Sequence, residues 1–110
     1  MFVQWQGWRG KLTMARQIVA VRMSGGSEHR HIAGVAFITT DDPASFKAAT
    51  MKIRDVLDEM DANNDFFTRD WDGDIAKVVI VRSNDDRYIR TKKDALLTDN
   101  LLRLPRYKSD

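Results

Sequence analysis

Two histidines and a run of aspartates are the residues of this chain best suited to chemistry. His29 and His31 stand two apart, and on a β-strand that spacing projects both imidazoles from one face, where they could hold one metal ion. Asp70-Trp71-Asp72-Gly73-Asp74 offers alternate carboxylates that can converge on a hard cation. Together they would suit a small metal-dependent hydrolase or nuclease, with the ion activating a water. A plainer reading is favoured for each. Two imidazoles do not complete a coordination sphere, the chain contains no Cys, and the pair fits the partly exposed mouth of a hairpin equally well. The aspartate run lacks the later Glu of an EF-hand loop, and its Asp72-Gly73 sits between two β-patterned runs, as a hairpin turn does. Asp61 to Phe66 repeats the first three spacings of such a loop but places Phe66 where the sharp turn requires Gly. There is no Gly-x-Ser-x-Gly, no phosphate-binding Gly loop and no His-Glu-x-x-His. No catalytic residue, metal ligand or cofactor is therefore assigned.

A second chemistry is suggested by cations interleaved with aromatic rings. Arg82, Arg87, Arg90, Lys92, Lys93, Arg103 and Arg106, followed by Lys108, crowd the last quarter of the chain together with Tyr88 and Tyr107. Guanidinium and ammonium groups contact phosphates and rings stack on bases, so these seven are the candidate nucleic-acid contacts. Asp85, Asp86, Asp94 and Asp99 dilute the set. The net charge is only +2, but its distribution is uneven. Residues 1–40 carry five basic and one acidic side chain, residues 41–81 five and ten, and residues 82–110 eight and five. If the two basic ends fold side by side they form a positive face, which lets a nearly neutral protein attract a polyanion.

These groups must be positioned by one domain. A chain of 110 residues, 43% hydrophobic and 31% charged, has the composition of a globular protein with a single modest core. No run of about 18 apolar residues exists to span a membrane. The absence of Cys and of an apolar, cleavable leader suits a cytoplasmic setting. Residues 1–13 stand outside the regular pattern and are read as an N-terminal extension, with residues 14–110 as the domain. Phe2, Trp5 and Trp8 in that extension are the candidate contacts for self-association or a protein partner, because large apolar side chains seldom stay in water without a use.

The elements follow from periodicity. Gln17 to Met23 alternates as a strand, Ser24-Gly25-Gly26-Ser27 turns the chain, and His31 to Thr39 is apolar enough to be a central strand buried on both faces. Asp42-Pro43 has the form of a helix start. Phe46, Thr50, Ile53, Leu57 and Met60 then recur at helical spacing, which predicts one long amphipathic helix ending near Asn63-Asn64. Phe66 to Trp71, Ile75 to Arg82 and Arg87 to Thr91 complete the strands. The expected architecture is α+β: a two-layer sandwich in which a five-stranded, mainly antiparallel sheet of order β-β-α-β-β-β carries the helix on one face. Leu101, Leu102 and Leu104, stopped by Pro105, form a C-terminal tail expected to dock on the core, with Thr98-Asp99-Asn100 as a local cap.

Tyr88-Ile89-Arg90-Thr91 and the stretch Thr98 to Tyr107, taken with Val19 to Met23 and Glu28-His29-Arg30-His31-Ile32, resemble a family of small bacterial and phage proteins described as domain of unknown function 3892, over roughly residues 15 to 107. The resemblance implies no catalytic residues. The expectation from residues and resemblance together is a non-catalytic binding or regulatory module acting on a protein or nucleic-acid partner.

Overall fold

The computed structural model describes residues 16–39, 48–70 and 72–108. Strands β1 (Arg16–Met23) and β2 (Ile32–Thr39) are followed by β3 (Ala49–Lys52), helix α1 (Ile53–Asp61), β4 (Phe66–Arg69), β5 (Ile75–Ser83), β6 (Asp86–Lys93) and β7 (Leu96–Thr98). All seven strands join one sheet in the order β3-β2-β1-β4-β5-β6-β7. Every pairing is antiparallel except β1 with β4, where Arg16 faces Phe66 and Gln17 faces Phe67. The chain is thus α+β with one α-helix among the described residues, but the sheet has seven strands where five were expected.

The helix is also shorter than its periodicity implied. Ala49 to Lys52 are extended and pair with β2, Gly34 opposite Lys52 and Phe37 opposite Ala49. Ala, Met and Lys favour helix locally. Beside them, however, lies β2, whose Ile32, Gly34, Val35, Ala36 and Phe37 are buried, and the N–H and C=O groups along its outer edge need partners. Pairing therefore overrides the local preference, and α1 keeps nine residues. Val56 is fully buried, and Ile53, Leu57 and Met60 pack around the core, so this part of the predicted apolar stripe does face the sheet. Pro43 and Phe46 lie outside the described residues. At the far end Asn63 adopts φ 68°, and the N–H groups of Asn63 and Asn64 return to the carbonyls of Met60 and Glu59, closing the helix as the Asn pair implied.

Two irregularities decide which side chains reach the interior. A register shift between Ile18 and Ala20 breaks the simple alternation expected of β1 and puts both Ile18 and Val21 in the core at 0% exposure, as a β-bulge does. Asp94 and Ala95 both take positive φ, 53° and 70°, which makes the two-residue turn that folds β7 back on β6. That turn accounts for one of the extra strands.

The tail docks as expected. Leu101 in a short 3₁₀ turn (Asn100–Arg103) is fully buried, with Leu102 and Leu104 against the core. β4 pairs with β1 only at Arg16 and Gln17. Further along, the Val21 N–H donates to the Pro105 carbonyl (3.0 Å) and the Tyr107 N–H to the Val21 carbonyl (3.1 Å), so the tail takes the place β4 leaves. The cap reading of Thr98-Asp99-Asn100 does not hold. Asp99 precedes the 3₁₀ turn and its carbonyl accepts the Leu102 N–H at 3.0 Å, but its side chain makes no capping bond, and the Asn100 N–H is instead satisfied by the Thr91 hydroxyl at 3.2 Å.

Candidate functional site

The β1–β2 connection does not continue the strand as the histidine spacing assumed. Gly25 takes φ 80°, and Glu28 to His31 close a 3₁₀ turn in which the His31 N–H reaches the Glu28 carbonyl at 2.8 Å. In a turn, residues two apart point in different directions. His31 turns back, its Nδ1 accepting the Glu28 N–H at 3.1 Å, and its ring fills the space over Gly26 that a Cβ would occupy. It therefore holds the loop in shape. His29 points the other way, towards β6, with its ring stacked on Tyr88 (centroids 6.5 Å, planes 28° apart).

Beside that stack lie Arg90 and Asp99. Arg90 Nη2 donates to Asp99 Oδ1 at 2.8 Å, and His29 Nε2 stands 3.6 Å from the same oxygen. Burial and the neighbouring Arg90 guanidinium hold the His29 imidazole below its usual pKa, against a smaller opposite pull from Asp99. Two nitrogens here, His29 Nε2 and Arg90 Nε, are buried without a hydrogen-bond partner. Both belong to residues lining a cleft of about 670 Å³, whose rim includes Ser27, Glu28, Arg30, Ser83 and Asp86. Its size is that of a ligand site, and its charges are largely cancelled within it by the Glu28–Arg30 (3.1 Å) and Arg90–Asp99 pairs.

The depressed His29 pKa has a measurable consequence. A histidine kept neutral by the fold binds its proton more readily in the unfolded chain, so its contribution to stability is complete above pH 6.5 and is lost as pH falls towards the lowered folded value. Melting temperatures followed from pH 8 to pH 5 should fall more steeply for the wild type than for His29→Gln; parallel curves would show that His29 is not held neutral.

The remaining sequence candidates are dispersed. Asp70 organises its own turn, its Oδ1 accepting the N–H groups of Asp72 and Asp74 at 3.0 and 2.9 Å. Gly73 takes φ 84° and β4 and β5 do form a hairpin, but five residues separate the paired Arg69 and Ile75 where Asp72-Gly73 implied a two-residue turn. Asp74 pairs with Lys93 at 2.7 Å, which raises the Lys93 pKa. Among the described residues no three His, Asp or Glu side chains are grouped to hold a metal ion, so His29, His31 and the Asp70–Asp74 carboxylates do not form the constellation a hydrolase would need. Of the seven cations, Arg87 pairs with Asp61 (2.9 Å), Arg90 with Asp99, Lys93 with Asp74, and Arg106 bonds the carbonyls of Leu102 and Leu104. Arg82, Lys92 and Arg103 are exposed, and Arg103 lines a separate groove with Arg69. Phe2, Trp5, Trp8 and Trp71 lie outside the described residues.

Sequence reasoning missed Asp99 as the acceptor for Arg90 and grouped Tyr88 with the basic residues rather than with His29. No residue spacing sets the direction in which β6 alternates. No helix among the described residues is long and apolar enough to cross a membrane.

No curated protein and no solved structure matches the chain. A family model described as "Protein of unknown function (DUF3892)" matches residues 17–105. That span runs from the start of β1 through the 3₁₀ turn bearing His29, the β6 segment bearing Tyr88 and Arg90, and Asp99, to the docked tail. The chain belongs to the DUF3892 family.

Proposed function

We propose that this protein is a non-catalytic binding module, and that the His29–Tyr88–Arg90–Asp99 cleft is where it takes a polar, uncharged segment of a protein partner. A bacterial or phage setting and a cytoplasmic location belong to the same reading. The observation that carries it is the cleft of about 670 Å³ lined by His29, Tyr88, Arg90 and Asp99, in whose wall His29 Nε2 and Arg90 Nε are buried without a hydrogen-bond partner. A buried polar atom left without a partner costs about 1–3 kcal/mol, and a bound group towards which either side chain turns recovers that cost. Because the charges lining the cleft are mostly paired with one another, the matching chemistry is an amide or hydroxyl rather than a strong ion. Tyr88 adds the rigid aromatic surface that binding sites favour.

The test is a comparison of wild type with Ser27→Trp. Ser27 is exposed on the rim, so an indole there fills the cleft and leaves the core alone. Cross-linking capture from the source cell should recover a partner with the wild type and lose it with Ser27→Trp at unchanged melting temperature. A partner held equally by both proteins places recognition elsewhere.

A further inference from the structure

A different surface carries cations that have no carboxylate partner among the described residues. Arg22 of β1, Gly34 of β2 and Lys52 of β3 are directly opposite one another in register, so the two long side chains rise from the same face on either side of a residue that has none. The tail crosses this face. Tyr107 is fixed by its N–H to the Val21 carbonyl, and its hydroxyl lies over Gly34, where a Cβ would sit 2.9 Å from that oxygen and 3.5 Å from Arg22 Nε. A glycine inside a strand marks such a close approach. Here it lets a phenol and a guanidinium meet above the sheet. Lys108 follows Tyr107, and Arg22, Lys52, Tyr107 and Lys108 line one groove of about 580 Å³, with Thr50, Met51 and Asp55.

The electrostatics differ from those of the cleft around His29. Arg16, Arg30, Arg87, Arg90 and Lys93 all have carboxylate partners within 4 Å, whereas among the described residues Arg22, Lys52 and Lys108 have none. Arg22 makes one neutral bond, to the Ala33 carbonyl at 3.3 Å. Among the described residues that line the groove, three cations stand against one carboxylate, Asp55, and leave it positive. The first and last charge blocks of the sequence do meet, because the parallel bridge between Val21 and Arg106 brings the tail beside β1. Of the cations gathered there, only Lys108 belongs to the basic C-terminal stretch that composition singled out.

We propose that this face, formed by Arg22, Lys52, Tyr107 and Lys108 around Gly34, binds the phosphodiester backbone of a single-stranded nucleic acid. Unpaired cations neutralise phosphates and release counterions. A half-exposed aromatic ring among them offers a base a stacking partner, which a base inside a duplex cannot use. This surface is independent of the partner cleft and shares no residue with it.

Fluorescence anisotropy with labelled oligothymidine and oligouridine of about ten nucleotides, a length suited to such a groove, tests the idea at low salt. Both should bind, and a three-phosphate contact on a single strand gives log K against log salt a slope of about −2. Lys52→Glu and Lys108→Glu, both at exposed positions, should each weaken binding about tenfold and flatten that slope. Asp55→Asn should strengthen it. The double variant Arg69→Glu, Lys77→Glu, at two exposed positions outside the groove, changes charge by the same sign and should bind like the wild type. Absence of binding at low salt overturns the proposal. So does equal weakening in the Arg69/Lys77 variant, which would indicate net charge alone, or binding to phosphatidylserine vesicles with none to the oligonucleotides.

Discussion

A chain ending at Thr98 is expected to lose cooperative unfolding, bind a hydrophobic dye and retain β-structure in the far ultraviolet, the behaviour of a molten globule. The truncation removes Leu101, which is fully buried, and Leu102 and Leu104, which pack beside it. It also strips both backbone partners from Val21, the Pro105 carbonyl and the Tyr107 N–H, in a strand residue with 0% exposure. Loss of one buried leucine costs about 2–5 kcal/mol, and each orphaned buried backbone group about 1–3 kcal/mol. Against a total stability of roughly 5–15 kcal/mol, the sum removes most of the margin. Leu101→Ala is the graded version and should cost about 2–5 kcal/mol by urea unfolding. A truncated chain that still melts as one sharp transition near the wild-type temperature would show that the tail is an appendage.

The largest single-residue effect is expected at Phe66. Its ring is 1% exposed and meets Phe37 edge-on, with centroids 6.3 Å apart and planes at 86°. The Arg16 guanidinium lies 5.5 Å from the centroid of each ring and is held there by Glu59 of α1 at 2.6 Å. Phe66 also faces Arg16 in the parallel β1–β4 ladder, so the position ties together β1, β2, β4 and the helix. Phe66→Ala should cost about 3–5 kcal/mol, measured as a lowered urea midpoint with unchanged slope. Arg16→Gln removes the cation and keeps both rings, and should cost less, because an ion pair with partial exposure contributes little. A loss below about 1 kcal/mol for Phe66→Ala would mean that the neighbouring side chains collapse into the space.

Elements defined by a local rule were legible in the sequence. The turn-forming Asp72-Gly73, the helix stop at Asn63-Asn64, the twice-buried β2 and the leucine-bearing tail each rest on a residue whose backbone preference or apolarity acts over a few positions. The elements missed depend on partners distant in the chain. Ala49 to Lys52 is helical by composition and becomes a strand only because β2 presents an edge to it. β7 depends on Ala95 adopting a positive φ, which no propensity favours. The site divides in the same way. The paired spacing of His29 and His31 assumed a strand, and the 3₁₀ turn separated them. Asp99 looked like a cap to its own neighbours because the attraction of Arg90 is a property of the folded hairpin. Gly34 was the one available signal for the surface where Tyr107 lies, since a glycine inside an otherwise apolar strand asks what lies above it.

The divided pairing of β1 sets an order of events during synthesis. Arg16 and Gln17 can pair with β4 once residue 67 is available, but Val21 must wait for Pro105 and Tyr107. At roughly 5–20 residues per second the stretch from residue 67 to residue 107 takes on the order of 2–8 seconds to make. Through that interval the middle of the strand has one bare edge, and the hollow that Leu101 fills stays open. The sheet can be laid down while the ribosome is still translating, yet the domain can be locked only once residues 105–107 have emerged. Ribosomes that stall before that point should therefore release chains that resemble the native protein in secondary structure and are cleared by proteases that recognise open cores.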